Sequence, residues 1–254
     1  MQIEDQVAIV TGGASGLGEA TARYLAAGGA KVAVFDFDED RASAVAAEIS
    51  GAAFQCDVGN EESVAMNVSA AVAHFGQSPR IAINCAGVGF AARIVGREGK
   101  TSIPLFRKVI EVNLIGSYNV MTYATRAMIE TEPMEGGERG VVINTASAAY
   151  EDGQVGQSAY AASKGGVASM CLPAARELSR FGVRVMTIAP GLFNTPMMEA
   201  LPEETVAEIT KNIPFPDRLG HPAEYAQLAG EIIRNPYLNG TVIRLDGATR
   251  LPPR

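Results

Sequence analysis

The chain has 254 residues, 47% apolar and 19% charged, which is enough for a sizeable core and excludes a disordered protein. Its formal net charge of −7 argues against nucleic acid or a membrane surface as a partner. Cys56, Cys85 and Cys171 are odd in number and lack metal-ligand spacing, so free thiols in a reducing compartment are expected, and no metal.

Gln6-Val7-Ala8-Ile9-Val10 is an apolar run of strand length, and Thr11-Gly12-Gly13-Ala14-Ser15-Gly16-Leu17-Gly18 follows it. A helical stretch from Glu19 to Ala27 then stops at Gly28-Gly29. Strand, glycine-rich turn and helix form the layout of a nucleotide-binding unit. The glycines allow a tight turn and a close approach to a pyrophosphate, and the helix N-terminus offers unpaired N–H groups. The spacing Gly12-x3-Gly16-x-Gly18 differs from the commoner GxGxxG, and alone it suits an ordinary turn equally well. Ser15 and Leu17 fall inside the same turn.

Lys31-Val32-Ala33-Val34-Phe35 reads as the second strand and ends at Asp36, 18 residues after Gly18. An acid about there binds the ribose 2′-hydroxyl of a dinucleotide. A carboxylate accepts from that hydroxyl and repels a 2′-phosphate. Neither the turn nor the next few residues after Asp36 supply a cation, Arg41 being the first downstream, so NAD is expected over NADP. The plainer alternative for Asp36 is a solvated residue ending a strand.

Further strand-like runs are Ala52 to Cys56, Arg80 to Asn84, Gly140 to Asn144, Val183 to Ile188 and Val242 to Leu245, with helical stretches between them. That rhythm predicts an α/β fold in one domain over 1–254: a doubly wound, Rossmann-type parallel sheet of seven strands with helices on both faces. Ligands bind such sheets at the carboxyl ends of the strands. The proline-rich segment from about 191 to 216 carries Met197, Met198 and Leu201 and is expected to form a helical lid; an ordinary surface connection is the alternative.

Tyr160 and Lys164 are four residues apart in Ser158-Ala159-Tyr160-Ala161-Ala162-Ser163-Lys164, one helical turn, so both side chains project from one face. A free tyrosine, with a pKa near ~10, is a poor base at neutral pH. A fixed positive charge a few Å away is expected to pull that value down and make a proton-transfer catalyst. Two polar residues on a half-exposed helix is the alternative for such a pair standing alone.

The chain resembles the short-chain dehydrogenase/reductase family over essentially its whole length. The matching residues are Thr11-Gly12-x3-Gly16-x-Gly18, Asp57-Val58, Asn84-Cys85-Ala86-Gly87, Asn113, Ser147, Tyr160-x3-Lys164 and Pro190-Gly191. One departure is Cys85, where the family usually repeats asparagine; small and beside a strand end, it is expected to be without consequence. The resemblance implies that Tyr160 is the general acid/base, Lys164 lowers its pKa and holds the nicotinamide ribose, Ser147 orients the substrate oxygen, and Asn113 bends its helix and holds a water near the lysine. It further implies that Asp57 and Val58 flank the adenine and that Asn84, Ala86 and Gly87 flank its ribose. Pro190, Gly191, Phe193 and Thr195 then hold the nicotinamide end of NAD.

Within that family, Gln154-Val155-Gly156-Gln157, the segment from Thr187 to Phe193, that from Asn239 to Ala248, and the acidic loop from Glu132 to Gly140 resemble the type II 3-hydroxyacyl-CoA dehydrogenases. This implies interconversion of 3-hydroxyacyl-CoA and 3-ketoacyl-CoA, with Gln154, Gln157, Leu192, Phe193 and Leu201 as candidates for the acyl pocket. Packing roles are equally open for the three apolar ones. Arg93, Arg97 and Lys100 stand in a loop where CoA phosphates or plain solvent are both suitable neighbours. A 3-ketoacyl carrier-protein reductase, a hydroxysteroid or other secondary-alcohol dehydrogenase, and an inactive dinucleotide-binding regulator are the rival readings. Asp36 argues against the first, and the complete set of catalytic positions against the last.

Members of the family are commonly tetramers, so a homotetramer is expected, joined through helices at about 105–129 and 159–181 and the C-terminal strand region. The start, Met1-Gln2-Ile3-Glu4-Asp5, has no basic stretch before a hydrophobic run, and no apolar run reaches the ~18 residues of a membrane span. A cytoplasmic enzyme without signal or transit peptide and without a membrane partner is the corresponding expectation.

Overall fold

The sheet strands are mostly apolar, and the inner ones are covered on both faces, as parallel strands require. The computed structural model describes residues 1–199 and 203–253. Among them, the strands are β1 Val7–Thr11, β2 Lys31–Asp36, β3 Ala52–Gln55, β4 Ile81–Asn84, β5 Gly140–Thr145, β6 Val183–Pro190 and β7 Val242–Leu245. They form one parallel sheet in the order β3-β2-β1-β4-β5-β6-β7, as expected for a doubly wound fold. The order reverses between β1 and β4, and the crevice of such a sheet opens at that point.

The helices are α1 Gly16–Ala27, α2 Glu39–Glu48, α3 Glu61–Phe75, α4 Ile103–Ile110, α5 Gly116–Ile129, α6 Ala149–Asp152, α7 Ser158–Leu178, α8 Pro196–Glu199, α9 Glu203–Thr210 and α10 Pro222–Arg234. None of them is long and apolar enough to cross a membrane. Side chains alternate across the sheet and so build two cores. Val10, Val34, Ile83, Ile143 and Ile188 meet Leu25 of α1 and Tyr225 and Ile232 of α10 on one face. Ile9, Phe35, Ala82, Val142 and Val185 meet Val64 of α3, Val120 and Met128 of α5 and Cys171 of α7 on the other. Fully burying a side chain such as Leu25 or Ile232 contributes about 1.5–3 kcal/mol.

Local signals set the helix ends. Asp38 and Asn60 accept from the backbone N–H of Arg41 and Ser63 and so cap α2 and α3, and Gly76 closes α3 in the left-handed region. The C-terminus of α10 is held by buried Arg184, which donates to the carbonyls of Ile232 and Ile233 at 2.8 and 2.9 Å and to Glu138 at 2.8 Å. The helix expected over about 105–129 is broken by a π-helical turn, Glu111–Ile115, with Asn113 at its centre. An extra residue in a turn widens it and re-aims the side chains inside it.

Candidate active site

The carboxyl ends of β1, β2, β4, β5 and β6 open on one cavity of about 670 Å³. At one end it is lined by Gly12, Ser15, Gly16, Leu17 and Gly18, with Asp36, Asp57 and Val58 beside them. Ser147, Tyr160 and Lys164 line it as well, with Ala86, Gly87, Pro190, Gly191, Leu192, Phe193 and Thr195, the last beside Gly16. With Lys108 and Val112 added, residues from eight separate stretches of sequence meet in one continuous trough.

The glycine turn fits its place for a steric reason. Gly12 has φ +63°, and a Cβ on it would lie 2.8 Å from the backbone of Ala86. A Cβ on Gly18 would lie 2.0 Å from the Gly12 carbonyl oxygen. The bare backbone brings the first turn of α1 against the trough, where its unpaired N–H groups and positive dipole end suit a pyrophosphate. Asp36 is pinned by two backbone donors, Ala14 N–H at 3.0 Å and Asp38 N–H at 3.1 Å. Phe37, Asp38, Glu39 and Asp40 follow it, and Arg41 is drawn to Asp38 at 3.5 Å. Asp57 accepts from Gly59 N–H at 3.0 Å. The donor and acceptor set along the trough therefore fits a dinucleotide.

Lys164 is 5% exposed and donates to the carbonyl of Thr145 at 2.8 Å. Its Nζ lies 5.9 Å from the centre of the Tyr160 ring. Burial pushes the lysine down to about 8. Burial also pushes the Tyr160 phenol up, with the Ser147 hydroxyl acting in the opposite direction. The ammonium's hydrogen bond goes to Thr145, and desolvation dominates at the ring. Ser147 accepts from Ala149 N–H at 3.2 Å at the start of α6.

Asn113 is fully buried and does not line the trough. Its Oδ1 accepts from Val88 N–H at 2.8 Å, and its Nδ2 donates to Val88 O and to Ser163 Oγ, both at 3.0 Å. It therefore ties the loop after Gly87 to the helix between Tyr160 and Lys164. Its Oδ1 and Lys164 Nζ also face the same side of Gly87, 3.2 and 3.5 Å from where a Cβ would stand.

Other expected residues lie elsewhere. The Asn84 side chain turns inward, donating to Asn144 Oδ1 at 2.8 Å and Ser117 O at 3.3 Å, and does not line the trough; a strand-end amide between two neighbouring strands is satisfied there. Gln154 and Gln157 also stay off the trough. Gln157 Oε1 accepts from Gln154 N–H at 3.0 Å, and Gln154 Nε2 donates to Pro252 O at 3.0 Å. Leu201 lies outside the described residues. Of the expected lid, Met198 on α8 reaches the trough. Arg93, Arg97 and Lys100 are exposed and line no part of it, Lys100 standing 3.8 Å from Glu98.

Sequence reasoning missed three contributors. Lys108 and Phe37 also line the trough. Asn119, buried in α5, donates to Val58 O at 3.0 Å and so fixes the trough wall at Val58. A polar residue in the apolar stripe of a helix was the signal available for Asn119.

The sequence pattern of the short chain dehydrogenase family matches residues 6–206. The 3-hydroxyacyl-CoA dehydrogenase type-2 of Homo sapiens is 46% identical over 255 residues, covering 99% of this chain and 97% of that protein. The crystal structure of 3-hydroxyacyl-CoA dehydrogenase type-2 from Mycobacterium avium superposes with a TM-score of 0.92 at 44% identity, covering 98% of this chain and 97% of that one. The 3-ketoacyl-(acyl-carrier-protein) reductase from Brucella melitensis, complexed with NADH, superposes at 0.85 with 28% identity, covering 98% of this chain and all of that one (100%). With its glycine turn, its Tyr-x3-Lys helix and its sheet order all in place, the chain belongs to the short chain dehydrogenase family and is an oxidoreductase.

Proposed function

We propose that the chain interconverts 3-hydroxyacyl-CoA and 3-ketoacyl-CoA with NAD as cofactor. The observation that carries the chemistry is that Ser147, Tyr160 and Lys164 share one cavity with the glycine turn and Asp36. The substrate class is supported by the relatives named for it at 46% and 44% identity over nearly the whole chain. NAD over NADP is supported by Asp36, whose pinned carboxylate and acidic neighbours oppose a 2′-phosphate.

When bound, the nicotinamide supplies hydride acceptance and donation. The protein's part is to move and hold a proton. In the oxidative direction Tyr160 Oη takes the proton from the substrate hydroxyl, and in the reductive direction it returns one to the carbonyl oxygen. Ser147 Oγ holds that oxygen in place. Deprotonating a buried phenol alone is costly, but beside the Lys164 ammonium the charge forms half of an ion pair. Lys164 would also hold the ribose next to the nicotinamide, and Asn113 fixes the loop at Val88. Leu192, Phe193 and Met198 of α8 cover the substrate and exclude water.

A homotetramer built on α4, α5 and α7 is part of the same reading, supported by the exposed apolar side chains Ile103, Phe106, Ile115 and Tyr118. A cytoplasmic location goes with it. The direct test of the chemistry is Tyr160→Phe, which keeps the ring and removes the acid/base oxygen. NADH binding should stay within about twofold while turnover drops by at least about 10³-fold. Turnover within tenfold of the parent overturns the assignment of Tyr160.

A further inference from the structure

Tyr225 is completely buried in α10, on the far side of the sheet from α7, yet its hydroxyl reaches the sheet's carboxyl edge. There it lies 2.6 Å from Thr145 Oγ1. Thr145 Oγ1 in turn donates to Cys85 Sγ at 3.6 Å, and Cys85 Sγ donates to Tyr225 Oη at 3.7 Å. With Tyr225 donating to Thr145, the three hydrogens close a ring. Each group gives one hydrogen bond and takes one, and none of the three polar atoms is left over. Such rings are mutually reinforcing in a low-dielectric interior, and removing one member leaves the other two unsatisfied.

The ring is joined to the active site through one residue. The same Thr145 whose hydroxyl it holds offers its carbonyl to Lys164 Nζ at 2.8 Å. Cys85 and Thr145 both line the trough, so the ring forms the wall behind the ammonium. Cys85, the departure from the family's asparagine, thus has a structural reason. It supplies a small group that both accepts from a threonine and donates to a tyrosine.

We infer that Tyr225, acting through Thr145 and Cys85, is a positioning residue for Lys164. It fixes the carbonyl that holds the ammonium and thereby sets how the charge faces Tyr160 and the cofactor ribose. The titratable groups around that ammonium are Tyr160 from its own helix, Cys85 from the end of β4 and, behind Thr145, Tyr225 from α10; among the described residues no carboxylate contributes there. The inference rests on the proposed role of Lys164, not on the acyl substrate.

The test uses Tyr225→Phe, Thr145→Val and Thr145→Ser in the full-length protein. The first two open the ring, and the third keeps its hydroxyl. Three quantities are read: NADH affinity by fluorescence titration across pH, the pH dependence of kcat/KM for oxidation of 3-hydroxybutyryl-CoA, and Tm. Tyr225→Phe and Thr145→Val should weaken NADH binding about threefold to tenfold. They should also move the rising acid limb of kcat/KM to higher pH by about half a unit, because a poorly held ammonium stabilises the phenolate less. Thr145→Ser should recover most of both effects. A fall in Tm with NADH affinity and the pH limb unmoved shows a packing role and overturns the inference. Equal effects of Thr145→Ser and Thr145→Val overturn it as well. If Tyr225→Phe fails to fold, the two Thr145 variants decide. If the parent protein binds NADH but oxidises no acyl-CoA, the substrate proposal fails while the affinity data still test the ring.

Discussion

Asn113 grips Val88 by both of its backbone groups, accepting from the N–H at 2.8 Å and donating to the carbonyl at 3.0 Å. A side-chain amide that reproduces a strand's pairing pattern substitutes for a missing neighbour strand. The π-helical turn around Asn113 aims the amide at Val88 from inside an otherwise regular helical run.

Asn113→Ala removes three hydrogen bonds and leaves the Val88 groups unpaired in a partly buried place. The expected loss of stability is about 2–4 kcal/mol by urea denaturation, from unsatisfied polar groups. Turnover should fall by more than about tenfold even where the variant is fully folded, since Gly87 and the Tyr160 helix lose their common tie. A folded variant with unchanged turnover and stability contradicts this reading of the amide.

Lys164 costs the fold stability at neutral pH. Its folded pKa, about 8, lies below the ordinary value of 10.5 for the free side chain. Between those two values the unfolded chain binds the proton and the folded one does not, so stability rises with pH across that window. Below pH 8 the full cost, about 3 kcal/mol, is present. Lys164→Met should therefore be more stable than the parent at pH 7, by about 1–3 kcal/mol, while losing activity. It should also show a flatter stability profile between about pH 8 and 10.5. A variant less stable than the parent at pH 7 contradicts the account of a desolvated ammonium.

Asp36→Ala tests the cofactor preference. The substitution removes the charge that repels a 2′-phosphate and frees the Ala14 and Asp38 N–H groups to donate to one. The ratio of kcat/KM for NADPH to that for NADH should rise by at least about tenfold, roughly 1.4 kcal/mol. An unchanged ratio places the discrimination elsewhere in the adenosine end.

Much of this arrangement is legible in the sequence because it is local. Mostly apolar runs mark buried parallel strands, the four-residue spacing puts Tyr160 and Lys164 on one face, and Asp36 ends a strand at a readable distance from its glycine turn. What the sequence hides depends on which strands become neighbours. β4 pairs with β5 across about sixty residues, and that pairing turns Asn84 toward Asn144 and away from the trough. The same juxtaposition sends Lys164 to Thr145 and gathers Cys85, Thr145 and Tyr225 into a ring. Helical spacing likewise fixes the direction of the Tyr160 and Lys164 side chains but not the depth at which they sit. Depth is what pushes the phenol up and the lysine down.

The central claim is most directly tested by following NADH oxidation with acetoacetyl-CoA at neutral pH, beside NADPH and beside a steroid ketone. Turnover with NADH and acetoacetyl-CoA that exceeds the NADPH reaction by at least about a hundredfold in kcat/KM is the predicted result, the steroid ketone being the poorer substrate. Clear NADH binding with no reduction of acetoacetyl-CoA contradicts the proposed substrate, and equal use of NADPH contradicts the role given to Asp36.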